Sequence, residues 1–331
     1  MRGRSADRQR SVFMKYDVTA LGELLVDMTP CGRSGQGNEL IEANPGGAPC
    51  NVLAMLQKLG RKTAFIGKVG QDHFGRMLRQ TVRDAGVDVS SLFMDEKVHT
   101  TLAFVHLGSD GDRDFSFYRD PGADLRLRAD EIPEDLIASS RIFHFGTLSM
   151  TAEPALSATE IALLFAERNG VLRSFDPNVR LPLWKCEDDA KAAVRLGLRH
   201  CDVLKIADNE LLWLTGEKTL DKGMEALRGE FSIPLVLLSM GADGSRAYAG
   251  DAFAECPAFL SDATVDTTGA GDTFMACMLH DVLENGIESR TPESLGRALR
   301  FANAAASIVT TRLGALRSMP EEKEVRALLE K

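Results

Sequence analysis

Short apolar runs with the character of β-strands alternate with amphipathic helical stretches along most of this 331-residue chain, and no repeat, low-complexity tract or long charge run interrupts them. Alternation of this kind points to an α/β protein, with a parallel sheet of short apolar strands covered by helices on both faces. The spacing predicts a strand over 17–28 and a helix over 48–59, where Val52, Met55, Leu56 and Leu59 share one face and Gly60 is placed to stop it. A strand over 63–69, a helix over 72–85 and a second stop at Gly86 follow. Strands at 142–145 and 171–175 flank a helix within 151–169, and 203–206 and 235–238 continue the series. Helices over 271–285 and 292–311 close the chain.

Two segments depart from this rhythm. Residues 100–118 read as two extended runs joined by the turn-rich Ser109-Asp110-Gly111-Asp112-Arg113, which predicts a hairpin. Residues 30–45 are rich in Gly and Asn and carry no helix signal. Together, segments of about 30–45 and 97–121 are expected to form a small β lid projecting from the main sheet. Residues 1–14 are Arg-rich and lack the apolar core of a signal peptide. They are expected to be a disordered extension, with Met14 an alternative translation start and the acidic Asp7 weighing against a transit peptide. Residues 15–331 are then one α/β domain.

Composition narrows the function classes. With 39 Lys and Arg against 48 Asp and Glu, the formal net charge is −9, and such a chain repels nucleic acid and anionic membranes. Apolar stretches such as Ile233 to Leu238 are far too short to span a bilayer. The six cysteines form no CxxC pair, which predicts reduced, mostly buried thiols and a cytoplasmic protein. The six histidines show no zinc-ligand spacing.

Two glycine-containing helix starts stand out. Asn44-Pro45-Gly46-Gly47-Ala48-Pro49-Cys50-Asn51 opens the first helix, with Pro49 in its first turn and Asn51 able to bond a polar ligand. Taken alone, it is equally a tight turn. Asp266-Thr267-Thr268-Gly269-Ala270-Gly271-Asp272-Thr273 opens a later helix, and its exposed N–H groups and dipole make an anion site. Asp272 there has two readings. It caps the helix, or it orients and deprotonates a hydroxyl that attacks a phosphoryl group held at the anion site. The helix dipole is expected to keep Asp272 ionised and hence a weak base. No Walker A sequence, protein-kinase signature or GxGxxG after the first strand is present, so any nucleotide is held by other means.

The two helix starts resemble, in order and separation, the two signatures of the PfkB (ribokinase-like) carbohydrate kinases, and the resemblance runs from about Lys15 to Pro320. Within that family the chain most resembles fructokinases, through residues 22–27, 117–127, 143–150, 174–184 and 207–216. The resemblance implies a ribokinase-like fold and transfer of the ATP γ-phosphoryl group to a primary hydroxyl of fructose, giving fructose 6-phosphate. It implies Asp272 as catalytic base and Gly269, Ala270 and Gly271 as anion hole. Asp27, Gly46, Gly47 and Asn51 would grip the sugar, and Arg119 and Arg180 are candidates for substrate or phosphate contact. ATP would lie along Ser239, Gly241 and Gly244 and near Asn303.

Mg²⁺ would be held through waters on Glu210, and a K⁺ ion near Asp266 and Thr268 is a further implication. One departure stands out: the family's Asn-x-x-Glu begins here with Ala207. The lid would exclude water, and Phe104, Phe115 and Phe117 on it suit pairing between two subunits in a homodimer. The alternatives are 2-keto-3-deoxygluconate kinase, with Arg119 meeting the acid group, another sugar kinase of the family, or a catalytically silent sugar-binding regulator.

Overall fold

The computed structural model describes residues 14–107 and 113–330, so residues 1–13 of the expected extension and most of the hairpin turn lie outside the described residues. In chain order the elements begin β1 (Tyr16–Leu21), β2 (Leu25–Arg33), β3 (Glu39–Gly46), α1 (Ala48–Lys58), β4 (Thr63–Gly70), α2 (His73–Asp84), β5 (Asp88–Asp95), β6 (Leu102–Leu107) and β7 (Arg113–Tyr118). They continue α3 (Glu134–Ala138), β8 (Ser140–Gly146), α4 (Ala155–Arg168), β9 (Leu172–Asp176), α5 (Glu187–His200), β10 (Val203–Ala207), α6 (Asp208–Thr215) and α7 (Leu220–Glu230). The last are β11 (Leu235–Ser239), β12 (Ser245–Ala249), β13 (Ala252–Cys256), α8 (Ala270–Asn285), α9 (Pro292–Thr310) and α10 (Glu322–Leu329).

Nine strands form one sheet in the order β13-β12-β11-β10-β9-β8-β1-β4-β5. Its pairings are parallel from β5 to β11, and the antiparallel β12 and β13 finish one edge. Successive side chains of a strand point to opposite faces, and two cores result. Val18 and Ala20 of β1 join Met55 of α1 and Leu279 of α8 on one face. Leu21 joins Phe143, Phe145 and Phe175 on the other, against α4 and α5. Phe145 and Phe175 stack with ring centroids 4.7 Å apart, both fully buried, and each such burial contributes about 1.5–3 kcal/mol. This is the expected α/β architecture, a mostly parallel sheet with helices on both faces.

The single strand expected over 17–28 is two strands. β1 belongs to the large sheet, the chain turns at Gly22–Leu24, and β2 enters a second, four-stranded sheet of order β3-β2-β6-β7. Apolar residues crowd the bend on both sides, Leu21 before it and Leu25 and Val26 after it, and within it only Gly22 and Glu23 mark the turn. The turn sets Gly22 against the start of α1, where a Cβ would lie 2.6 Å from Pro49 Cγ. The segments expected to form a small β-structure pair in this second sheet. β2 and β3 form one hairpin, β6 and β7 another, and β2 runs parallel to β6.

Candidate active site

Open α/β sheets bind ligands at the carboxyl ends of their strands, beside the point where strand order reverses. Here β1 has β4 on one side and β8 on the other, and a cavity of about 430 Å³ lies at that end. It is lined by Glu23, Asn51, Lys205, Gly271 and Asp272 from the large domain and by Asp27, Thr29, Val105 and Phe117 from the small sheet. The two glycine-bearing helix starts, more than 200 residues apart in sequence, thus face each other across one cavity.

Gly269 begins α8 in the left-handed conformation (φ 80°), and no side chain caps the helix. Asp272 therefore does not serve as a cap. Its Oδ2 accepts a hydrogen bond from Asn51 Nδ2 at 2.8 Å. Burial raises the Asp272 carboxyl to about 6; the Asn51 bond opposes the rise, Asp176 adds to it, and Lys205 and Arg180 oppose it. The helix dipole alone had pointed to a fully ionised weak base. Desolvation outweighs it and makes Asp272 a stronger base, which a surface-helix argument misses. Asn51 is 3% exposed, and its Oδ1 is buried without a hydrogen-bond partner. An orphaned acceptor in a polar cavity calls for a donor from a ligand.

The paired glycines are explained by close approach. A Cβ at Gly46 would lie 2.0 Å from Asp27 Oδ2, and one at Gly47 (φ 126°) 2.5 Å from the Glu23 carbonyl. Any side chain at 46 would displace the Asp27 carboxylate. Glu23, which the residue pattern did not single out, accepts the Ala48 N–H at 2.9 Å. Burial pushes its carboxyl up to about 7, although its own N–H and that of Ala48 pull it down.

Arg180 lines the cavity. Arg119 does not. Its guanidinium donates to Asp124 (2.8 and 2.5 Å), the Leu148 carbonyl (2.7 Å) and Thr151 (2.9 Å), 6% exposed. It is a buried tie between the segment after β7 and the Leu148–Thr151 turn, and it does not line the cavity. Asn303 is likewise committed, accepting from Ser245 Oγ at 2.9 Å and donating to the Cys256 and Pro257 carbonyls at 3.1 Å. It fastens α9 to the antiparallel edge of the sheet. Ser239 ends β11, and Gly241 and Gly244 (φ 55° and 102°) bound the turn into β12. These four residues lie outside the cavity around Asp272.

Glu210 accepts the N–H groups of Val179 (2.7 Å) and Ala207 (2.9 Å). The residue that replaces the family's Asn therefore contributes through its backbone. Asp266 accepts from Thr268 N at 2.7 Å and Gly314 N at 3.1 Å, and both Asp266 and Thr268 line the cavity. Among the described residues no group of three or more His, Cys, Asp or Glu side chains is arranged to hold a metal ion. Phe117 faces the cavity, a correction to its expected outward position, while Phe104 pairs with Tyr118 (ring centroids 5.1 Å) on the opposite face. The side chain of Phe115 lies outside the described residues.

Besides Glu23, a buried pair escaped the sequence reading: Lys205, which lines the cavity, and Asp176 beside it meet at 3.1 Å. The signal was present, because Lys205 interrupts an otherwise apolar strand.

The model of the pfkB family carbohydrate kinases matches residues 16–322. The chain is 39% identical over 317 residues to a probable fructokinase-2 of Arabidopsis thaliana, covering 94% of this chain and 95% of that one. It is similar to the solved structure of a Xylella fastidiosa fructokinase with bound ATP (TM-score 0.86, 31% identity, 95% of this chain and 98% of that chain). It is also similar to a Vibrio cholerae O395 fructokinase in a form with bound fructose, ADP and calcium ion (TM-score 0.84, 30% identity, 95% and 99% covered).

Proposed function

This chain belongs to the pfkB family of carbohydrate kinases, and from that premise we propose that it transfers the γ-phosphoryl group of ATP to a primary hydroxyl of fructose, giving fructose 6-phosphate. The observation that carries the reading is the buried Asp272 carboxylate at the α8 N-terminus, held by Asn51 inside a polar cavity of about 430 Å³.

Asn51 takes Oδ2 of Asp272, and we assign Oδ1 to the substrate hydroxyl. The hydroxyl oxygen attacks γ-phosphorus, its proton passes to Asp272, and the bond from γ-phosphorus to the bridging oxygen of ADP breaks. The N–H groups of Gly269 and Gly271 meet the charge that develops on the transferring group, while that of Ala270, expected to join them, donates to the Thr267 carbonyl at 3.3 Å. Asn51 Oδ1 accepts from a neighbouring sugar hydroxyl, and Asp27 takes another. Phe117 and Val105 close the cavity from the small sheet and exclude water that would otherwise consume ATP.

The nucleotide would run from α8 toward the Ser239–Gly244 turn. Each Glu210 oxygen accepts one backbone N–H and keeps a lone pair for water, a donor set that fits Mg²⁺ held through its hydration shell. Such an ion would neutralise phosphate charge. A K⁺ site at the Asp266–Thr268 turn is part of the same proposal. Arg119, invoked for the acid group of 2-keto-3-deoxygluconate, is held by Asp124 instead.

No helix among the described residues is long and apolar enough to cross a membrane, and all six cysteines are unpaired. A reducing, cytoplasmic setting is our assignment. We further assign a homodimer through the outer face of the small sheet, where Ile41 and Tyr118 are exposed; a monomeric mass in light scattering overturns it. The kinase reading is tested by ADP release from ATP and Mg²⁺ over a panel of sugars. Fructose turnover supports it. Turnover confined to an acidic sugar moves the substrate, and binding of fructose without ADP release leaves a silent regulator.

A further inference from the structure

Interior strands of a parallel sheet are apolar on both faces, and β10 breaks that rule with one residue, Lys205. Strand parity sets Lys205 on the face of Val203, the face that packs with α8. The register between β9 and β10 brings Asp176 beside it. Lys205 is 7% exposed, and its Nζ lies 3.2 and 3.1 Å from the two Asp176 oxygens. It also lines the cavity, and a Cβ built on Gly271 would lie 3.2 Å from that Nζ. The ammonium therefore stands against the N-terminal glycine of α8, where a transferring phosphoryl group would sit.

We propose that Lys205 is a catalytic residue that donates to the γ-phosphoryl group during transfer, and that Asp176 is the positioning residue that holds it there. An ammonium has three donors, so the Asp176 contact leaves a donor for an equatorial phosphoryl oxygen. Asp176 also compensates for burying the charge, which an unpaired lysine on this strand would not tolerate. Lys205 keeps its proton throughout: the new oxygen–phosphorus bond, the departing ADP oxygen and the proton passed to Asp272 complete the balance without it. As a purely structural pair it would be an expensive choice, since apolar residues of similar size serve interior strands at least as well. The inference rests on the kinase reading given above.

The test compares wild type with Lys205→Met and Lys205→Arg, using whichever sugar of the panel gives the most ADP. Lys205→Met is expected to lower kcat by about 10²–10³-fold, the loss typical of removing one transition-state donor, with the KM for sugar nearly unchanged. Inhibition by ADP with aluminium fluoride, a mimic of the phosphoryl group in transfer, should weaken in parallel, and Lys205→Arg should recover part of both. If Lys205→Met does not fold, Lys205→Gln combined with Asp176→Asn removes both charges and carries the same expectation. Retention of kcat, or loss of sugar binding and stability with aluminium fluoride inhibition intact, overturns the proposal. Wild type that prefers a sugar other than fructose overturns the substrate reading alone. No ADP from any sugar removes both.

Discussion

The two sheets of this molecule obey different rules. Along β4 every residue from Thr63 to Gly70 is buried, and β1, β8, β10 and β11 are nearly as dry. In the small sheet, β3 is exposed over its first four residues, with Leu40 and Ile41 more than two-fifths accessible. A polar side chain in the small sheet therefore needs no explanation. One in the large sheet must be paired, and Lys205 with Asp176 marks the catalytic end of that sheet. The large sheet sets positions and carries the stability. The small sheet lends Asp27, Val105 and Phe117 to the cavity wall and is more exposed.

The sharpest way to break this contrast is Asp272→Asn. ADP release should fall by about 10²–10⁴-fold, the usual contribution of a positioned base. Its stability should rise. A carboxyl whose folded pKa of about 6 exceeds its unfolded value contributes stability below pH 4 that is lost as pH climbs through 6, up to about 3 kcal/mol. Urea unfolding at neutral pH checks it, and a less stable variant contradicts the burial argument.

Phe175→Ala, in the stack with Phe145, should cost about 3–5 kcal/mol by the same assay; a loss under about 1 kcal/mol would mean that the large sheet is not the load carrier. The pH profile comes next. With Asp272 required ionised, kcat/KM should drop tenfold for each unit below about pH 6, and an acid limb near 4 would contradict the desolvated base. In the small sheet, Phe117→Ala should raise the KM for sugar several-fold while the thermal midpoint stays put. Smallest is Tyr118→Ala, two-thirds exposed, whose stability should change by less than about 0.5 kcal/mol. A fall in assembly mass in that variant would locate the dimer contact.

Much of the fold was legible because its signals are local. The helix predicted over 48–59 is α1 with Leu59 as its C-cap, and that over 72–85 is α2 with Asp72 capping through Gly75 N and Ala85 ending it. The bend at Gly22–Leu24 was read through, because only Gly22 and Glu23 mark it between apolar residues, and Pro49, whose ring packs against Gly22, lies 27 positions away. Among the residues singled out, Asp272, Asn51, Asp27, Gly46, Gly47 and Arg180 gather at one cavity. Arg119 and Asn303 do not, since an Arg beside a lid or an Asn on a late helix reads the same whether it faces ligand or core.

The sequence by itself determined the α/β alternation, the helix starts and the chemical types at the site. Those follow from periodicity and from what glycine, carboxylate and amide groups can do. Only the tertiary structure decided which groups lose their water. That loss raises Asp272, seats Lys205 against Gly271 and withdraws Arg119 into Asp124, because desolvation and close approach depend on neighbours that are remote in the chain.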